Sequence, residues 1–599
     1  MWALGAEEYD RSYKDRDLFR RILAYFGPYK KSIAIVVVFL ILTSFANALV
    51  PIILAIAISQ LVAEKETAFL VALIGLTLLL NISGWVFNYF RQAYSARAIG
   101  DIVLDLRKDV NFAILNHDLS FFDRYPTGKI VSRVNTDSRD FGNAASLFMQ
   151  VSSSFLVVGI MLVALFTINP GLSFIVILMI PVIFVISLSF RKVARKWTLL
   201  GQRSLAVVNA YVQESISGIS IAKTFRQEEK LHSKFVDVND QSYRVNLRRG
   251  VTIMTIFPML NIIQGITIAC VIYFGGESLS RGEIDAGELF LFLQSLWFLF
   301  FPLLSIASFW PQFQAGLSAA ERIFALIDTP PAVVQQNDLR ITQLKGEIAF
   351  ENLFFEYVEG LPVFNDFTLT IRPGESVAIV GHTGAGKSSL AKLLARFYEF
   401  QRGNILIDGL SIREFDLHAY RKQIGVIPQT PFLWGDTLEN NVKYGKQGAS
   451  REEVLWALEQ AGGADWVEDL PNGLETNIRE RGSLLSMGQR QLVAFARVLL
   501  EDPSILILDE ATASVDPFTE TRIQDAVQQT IAGRTSIVIA HRLWTVRHVD
   551  RIVVLDHGRI VEEGNHEELM AKRGHYANLY STYFRHQSLE YIEQVRELA

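Results

Sequence analysis

The stretch SVAIVGHTGAGKSSLA, residues 376–391, decides how the second half of this chain folds. Ser376–Val380 is a short β-rich run. Gly381, His382, Thr383, Gly384, Ala385 and Gly386 read as a turn, and Lys387, Ser388 and Ser389 open a helical run, LAKLLARF. The spacing is Gly-x-x-x-x-Gly-Lys-Ser in the strand–loop–helix setting that a phosphate loop needs. Glycines let such a loop turn its backbone N–H groups inward around phosphate oxygens, and the following helix adds its positive N-terminal end. Lys387 is expected to pair with the β- and γ-phosphates of a nucleotide, and the Ser388 hydroxyl to sit on Mg²⁺. Charge-assisted hydrogen bonds of this kind contribute roughly 1.5–3 kcal/mol each, so several of them hold a nucleotide firmly. The plainer reading, a glycine turn followed by a chance lysine, has to be weighed against what lies downstream.

At 599 residues the chain has room for two or more domains. Half of its residues are hydrophobic, and its mean hydropathy of +0.25 is high for a water-soluble protein. The net charge of −5 carries no basic excess, so nucleic acid is not expected as a partner. The single cysteine, Cys270, lies in an apolar run; it excludes an intramolecular disulfide and reads as a small packed residue. The opening MWALGAEEYDRSYKDRD is polar and charged, unlike a cleavable secretory signal.

The apolar residues concentrate before about residue 310, which predicts a membrane domain followed by a soluble one. Asp17–Phe26 places Leu18, Ile22, Tyr25 and Phe26 at helical spacing with basic residues between, suited to the membrane interface or to an ordinary surface helix. Six runs, near 32–58, 68–90, 147–168, 172–190, 251–274 and 287–307, approach or exceed the roughly 20 residues that cross a bilayer. Pro51 and Gly84 interrupt spans, which membrane helices tolerate. Three connections are short. The other two, about 91–146 and 191–250, are long, helical in pattern and rich in basic residues near the span ends, such as Arg107, Lys108, Lys192, Arg195, Arg248 and Arg249. The positive-inside tendency therefore puts the N-terminus and both long connections in the cytoplasm. Each connection breaks at its tip, at Pro126 and Gly128 in the first and at Gly218 in the second, where a short helix has room to dock on a soluble domain. Asn81, Asn261, Gln264 and Gln294 stand out as polar residues within spans, with helix–helix hydrogen bonding as their expected role ahead of substrate contact.

Ser318–Ile327 reads as an amphipathic helix ended by Pro330-Pro331, and β-rich segments begin at Gly346. Several strand-end residues then appear in order. Tyr357, in LFFEY, is placed to stack on adenine. Gln429, after the strand in IGVIPQ, is placed to reach Mg²⁺ and the attacking water. Asp509 ends the apolar run SILILD and suits a Mg²⁺ contact. Glu510 follows it and is placed to orient or deprotonate the attacking water. His541, after SIVIA, is placed to hydrogen-bond the γ-phosphate. Positioning of this kind accounts for most of the catalysis of phosphoryl transfer.

Together these residues resemble an ABC exporter half-transporter, six membrane helices fused to one nucleotide-binding domain. The diagnostic piece is LLSMGQRQL, residues 484–492, which is similar to the family's LSGGQ motif and precedes Asp509-Glu510 at the family's distance. ATASVD (511–516) resembles the loop between paired domains, and TNIRERG (476–482) resembles the exporter-specific loop that contacts the membrane helices. GRIVEEGNHEEL (558–569) matches the terminal strand and turn, and the two excursion tips resemble coupling helices. Two positions depart from the pattern: Met487 replaces the first glycine of LSGGQ, and Arg479 replaces a small residue before Glu480.

The resemblance implies a fold of two parts, a membrane α-helical domain over 1–328 and an α/β P-loop ATP-binding domain over 346–585. A linker at 329–345 joins them, and a helical tail at 586–599 follows. It implies ATP and Mg²⁺ as ligands, with Ser486, Gly488 and Gln489 facing the nucleotide of a second half-transporter, so the chain is expected to dimerise. Homodimer and heterodimer both fit, and Met487 beside an intact Glu510 also fits a heterodimer with unequal sites. The expected activity is ATP-driven export of a hydrophobic or amphipathic molecule across the plasma membrane, with an ATP-gated channel or a regulatory half-transporter as alternatives. The ATP-binding domain and N-terminus are then cytoplasmic, and lipid surrounds the spans.

Overall fold

The structure, a computed structural model, describes residues 13–62, 67–463, 465–509, 517–539 and 543–584. It divides into two compact units: Met1–Leu115 with Thr127–Thr329, and Asn116–Pro126 with Pro330–Ala599.

The first unit is helical. Six helices among the described residues are long and apolar enough to cross a membrane. They run Lys30–Val62, Thr67–Asn116, Ser138–Ile168, Pro170–Ser217, Glu228–Ser280 and Ala286–Asp328, preceded by a short N-terminal helix, Asp15–Phe26. Four of the spans thus continue far past the roughly 30 Å of hydrocarbon that 20 residues cross. Pro51 lies inside the first span and Pro302 and Pro311 inside the sixth. The stretch 318–327 is no separate helix: it is the continuous end of the sixth, which stops at Asp328 before Pro330-Pro331. Between the third and fourth spans a single residue turns the chain. Asn169 accepts the Leu172 N–H at 3.1 Å, and Pro170 takes the first helical position, where its missing N–H costs nothing.

Small residues let the spans approach. A Cβ on Gly287 would lie 2.0 Å from the Ala55 carbonyl oxygen, and one on Gly316 would lie 2.2 Å from the Ala144 Cβ. Spans one and six, and three and six, therefore touch backbone to backbone there. Gln264 is buried in span five and its amide reaches the Leu296 carbonyl of span six at 3.5 Å, the outer limit of a hydrogen bond. Asn81 bonds within its own helix, to the Thr77 carbonyl. On the extension of the sixth span, Arg322 grips the buried Asp137 carboxylate through two nitrogens, at 2.6 and 3.2 Å, and Arg133 adds a third contact at 3.0 Å.

The second unit carries two sheets. The strands in chain order are β1 (Ile348–Glu356), β2 (Pro362–Ile371), β3 (Ser376–Gly381), β4 (Arg402–Ile407), β5 (Leu410–Ser411), β6 (Ile424–Ile427), β7 (Ile505–Asp509), β8 (Thr535–Ile539), β9 (Arg551–Asp556) and β10 (Arg559–Gly564). An antiparallel sheet is ordered β2-β1-β4-β5. The larger sheet is ordered β10-β9-β3-β8-β7-β6, parallel except for β10. Buried apolar runs in β3, β7 and β8 are what a parallel sheet covered on both faces requires.

The excursion tip 116–126 belongs to this unit. Its helix, Leu119–Arg124, starts at Asp118, whose carboxylate caps Ser120 and also accepts the backbone N–H groups of Ala332 and Val333 in the linker. The second tip has the helix Ile219–Thr224 directly after Gly218.

Candidate functional site

Parallel pairing brings the carboxyl ends of four strands to one edge. Ile379 of β3 stands level with Ile539 of β8, Ile539 with Asp509 of β7, and Leu508 with Ile427 of β6. Gly381, Asp509 and the Pro428-Gln429 turn therefore share one rim, where ligands bind in open parallel sheets. Residues separated by scores of positions in sequence meet here because the sheet, not the local motif, sets their register.

The loop from Gly381 to Gly386 leaves β3 at its carboxyl end. Gly381 has φ +154°, and a Cβ there would strike the Leu555 carbonyl oxygen at 2.2 Å; Gly386 has φ +104°, with a Cβ 3.0 Å from the Phe364 ring. Both positions need glycine for space and for backbone conformation. Ala385 is buried, and its carbonyl accepts the Gly558 N–H at 3.1 Å, which pins the loop to the β9–β10 turn. His382, Thr383 and Gly384 are exposed.

Lys387 begins the helix Lys387–Leu394 and is only 8% exposed. Its ammonium donates to the Gly381 and His382 carbonyls, at 2.8 and 3.0 Å, so it spans the loop from inside. Burial pulls its pKa below the ordinary lysine value, and the charge of Asp509 pulls the other way. The arrangement of glycine-rich loop, helix N-terminus and buried ammonium suits an anion cradle. Ser388, next in line, is exposed, while Ser389 is buried and accepts the Tyr357 hydroxyl at 3.1 Å.

Tyr357 lies one residue past β1 and is 44% exposed, unlike the core aromatics of that strand. The ring is held edge-on by Phe355 and Tyr398, at centroid distances of 4.7 and 5.1 Å. Tyr398 and Lys392 carry no motif, and sequence reading passes over them; the only signal is their place on and just after the phosphate-loop helix.

An oxygen-donor set at the rim, the Ser388 hydroxyl, the Gln429 amide and the Asp509 carboxylate, matches the hard-ligand preference of Mg²⁺, which keeps few protein ligands. No cluster of three or more His, Cys, Asp or Glu side chains able to hold a metal by itself occurs among the described residues. Gln429 is exposed at the end of β6. Glu510 and His541 lie outside the described residues, as does the segment 511–516; β7 and β8 end at Asp509 and Ile539, immediately before them.

The segment 484–492 makes a second helix N-terminus. Ser486 caps the helix Met487–Glu501 by accepting the Gln489 N–H at 3.2 Å, and the Gln489 side chain accepts the Ser486 N–H at 2.9 Å. Gly488 is buried in the first turn. Met487 occupies the first helical position without strain, 37% exposed, with its sulfur 3.8 Å from an Arg490 nitrogen. Replacing the family's glycine there leaves the helix start intact and adds a side chain beside it. Arg479 is different: φ +63° and ψ 179° put an arginine in backbone territory that is essentially glycine's.

Comparison with known proteins places the two halves. The ABC transporter transmembrane region family matches residues 33–303, and the ABC transporter family matches residues 364–513. The uncharacterized ABC transporter ATP-binding protein YknV of Bacillus subtilis (strain 168) is 34% identical over 565 residues, 93% of each chain. The ATP-dependent lipid A-core flippase of Syntrophus aciditrophicus (strain SB) is 33% identical, covering 95% of both chains. Among solved structures, a bacterial Atm1-family ABC exporter with ATP bound superposes with a TM-score of 0.77 at 26% identity, over 95% of this chain and 99% of that one.

Proposed function

The chain belongs to the ABC transporter family, with a transmembrane region and an ATPase region in one polypeptide, and we propose that it drives a hydrophobic or amphipathic molecule out of the cell as one half of a dimer. It is a multi-pass membrane protein and an ATP-hydrolysing transporter with the exporter fold. A half-transporter works with another half. The observation that carries the reading is the shared rim of β3, β6, β7 and β8, with Lys387 buried inside the phosphate loop, in a chain that also carries six spans.

In this reading Lys387 leaves the Gly381 and His382 carbonyls for the β- and γ-phosphates, which the loop N–H groups surround. The exposed face of Tyr357 stacks on adenine. Gln429 positions the attacking water, Glu510 takes its proton and His541 holds the γ-phosphate. Mg²⁺, when bound through Ser388, Gln429 and Asp509, neutralises phosphate charge. Ser486, Gly488 and Gln489 face the partner's nucleotide: one chain carries one phosphate loop and one such segment, so neither site is complete alone. Closure over ATP biases the spans only through its preference for the closed state, and hydrolysis makes the cycle directional. The tips at Leu119–Arg124 and Ile219–Thr224 are the elements suited to carry that motion.

The basic residues near the span ends support an N-terminus and ATPase unit in the cytoplasm, and the half-transporter organisation supports residence in a plasma membrane. Relatives named for lipid A flipping and for multidrug resistance support a lipid or drug-like cargo.

The test is ATP hydrolysis by this chain purified alone in lipid, beside Lys387→Ala and Glu510→Gln. Hydrolysis by the wild type is expected, with binding lost in the first variant. In the second, turnover should fall on the order of 10²-fold or more with binding kept. A wild type that binds ATP but never hydrolyses it requires a different partner chain and favours the heterodimer. Ion currents in place of ATP-driven accumulation of a lipid or drug-like probe overturn the exporter reading.

A further inference from the structure

The first unit holds a groove of about 720 Å³ that the transport cycle above does not use. That volume falls in the roughly 300–1,000 Å³ range of ligand-sized cavities. Its walls are the N-terminal helix Asp15–Phe26, the start of the first span, the start of the third and the end of the sixth. Leu23, Val37, Phe148 and Phe313 are typical of the lining, and Ser152 supplies its one hydroxyl, already turned back to the Phe148 carbonyl at 2.8 Å. Gly316 and Ala144, which meet at close range, both line it, so spans three and six are in contact along one wall.

The groove is apolar, but one margin is basic. On the N-terminal helix Phe19, Leu23 and Phe26 share a face at helical spacing, and Arg16 and Arg20 flank that face on one side. At the start of the first span Lys30 precedes the lining residues Ile33 and Val37 by three and seven positions, on the same face. All three basic side chains are exposed, and none has an ion-pair partner among the described residues. Arg21, by contrast, is committed: its guanidinium pairs with Asp328 and lies 4.5 Å over the Phe324 ring, anchoring the helix that forms the groove wall.

We propose that this groove holds an anionic phospholipid, with an acyl chain along the Leu23–Val37–Phe148 walls and its phosphate on Arg16, Arg20 and Lys30. An apolar chain alone gains little by leaving the bilayer, because lipid tails are as apolar as the groove. Selection therefore comes from charge: basic residues at a membrane surface favour anionic lipid, and the three contacts together should give a preference on the order of tenfold or more. The groove lies at the ends of the spans that the orientation proposed above places in the cytoplasmic leaflet; binding itself does not depend on that orientation or on transport.

The full chain, stripped of lipid in detergent, is titrated with phosphatidylglycerol and phosphatidylcholine of identical acyl chains and read by native mass spectrometry. Phosphatidylglycerol is expected to bind on the order of tenfold more tightly. The Arg16→Ala/Arg20→Ala/Lys30→Ala triple variant should lose that preference while still taking up both lipids. Val37→Trp, which fills the groove from an exposed position, should lose the bound lipid altogether. Equal retention of the two lipids by the wild type, or adducts indifferent to Val37→Trp, overturns the proposal. So does a Val37→Cys chain, in a Cys270→Ser background, that cross-links to a second copy in native membranes, because partner helices then cover the groove. ATP hydrolysis is measured in parallel, so failure of lipid binding is distinguishable from failure of the ATPase reading.

Discussion

The ring of Tyr398 meets the ring of Tyr357 edge to face, with centroids 5.1 Å apart and planes at 89°. Tyr398 is buried and its hydroxyl bonds to Asp123 in the tip segment 116–126, while the Tyr357 hydroxyl bonds to Ser389 beside the phosphate loop. Lys392 lies over both rings, at 5.4 and 5.8 Å. The proposed adenine platform is thus held from behind by a residue that also holds the tip. An edge-to-face pair contributes about 0.5–1.5 kcal/mol beyond its buried area. Tyr398→Ala should therefore raise the KM for ATP by roughly 2- to 10-fold, and Tyr398→Phe, which keeps the ring, should leave KM near the wild-type value. An unchanged KM in Tyr398→Ala, read from steady-state hydrolysis in lipid, removes Tyr398 from this role.

Arg479 gives a stability prediction. Its φ of +63° with ψ 179° costs a residue bearing a Cβ about 1–3 kcal/mol. Glycine removes that cost but brings more freedom to the unfolded chain, which returns roughly 0.4–1 kcal/mol. The net expectation for Arg479→Gly is stabilisation of about 1 kcal/mol, a rise of about 2–4 °C in the unfolding temperature of a domain of this size. The loop is tied before Arg479 by the Ile478 N–H to the Asp436 carbonyl and the Leu438 N–H to the Thr476 carbonyl, each at 3.0 Å, and after it by the Gly482 N–H to the Arg479 carbonyl at 3.1 Å, so relaxation of the backbone around Arg479 is limited. A lower unfolding temperature in the glycine variant would falsify the strain.

Much of this architecture was legible in the sequence because its signals are local or periodic. The phosphate loop is a contiguous motif, and six apolar runs announce six spans. The turn Asn169-Pro170-Gly171 and the stop at Asp328 follow from cap and proline chemistry. Other features were not legible. A helix of 50 residues runs on into charged sequence, so the apolar run 68–90 underestimates the helix Thr67–Asn116. The amphipathic pattern at 318–327 looks like a separate helix because nothing local shows that it continues the sixth span. The support of Tyr357 by Tyr398, and of the linker by Asp118, joins residues far apart in sequence with no shared motif. The cost of Arg479 cannot be read without its φ.

Asp118 is 8% exposed, and its carboxylate caps Ser120 while it accepts the Ala332 and Val333 N–H groups. Burial works to raise its pKa, but the hydrogen bonds from Ser120 and the linker backbone prevail and hold it below the ordinary aspartate value. A depressed carboxylate stabilises the fold fully above its unfolded pKa of about 3.9, and that contribution is lost as pH falls through the folded value. Asp118→Asn should therefore destabilise the tip by about 1–3 kcal/mol at pH 7 and by less at pH 3, below the unfolded pKa. Hydrogen exchange of the segments 116–126 and 330–335, compared at the two pH values, reads this directly. Equal exchange in wild type and variant at pH 7 contradicts it.

Glu501 behaves in the opposite sense. It is the last residue of the helix Met487–Glu501, where the carbonyl end of the helix dipole disfavours negative charge. Burial is the main cause that raises its pKa to about 7, with Lys422 working weakly against it. A carboxyl raised in the folded state binds its proton there at pH values where the unfolded chain, with a pKa of about 4.3, has already released it. Stability therefore falls as pH rises from about 4.3 to about 7, and the loss persists above that range, with a size on the order of 1–3 kcal/mol. Glu501→Gln, which cannot ionise, should match the wild type near pH 4.5 and exceed it at pH 8. The comparison is thermal unfolding of the full chain in lipid at the two pH values. A glutamine variant no more stable than wild type at pH 8 would show that Glu501 ionises there without penalty, with water reaching its carboxylate.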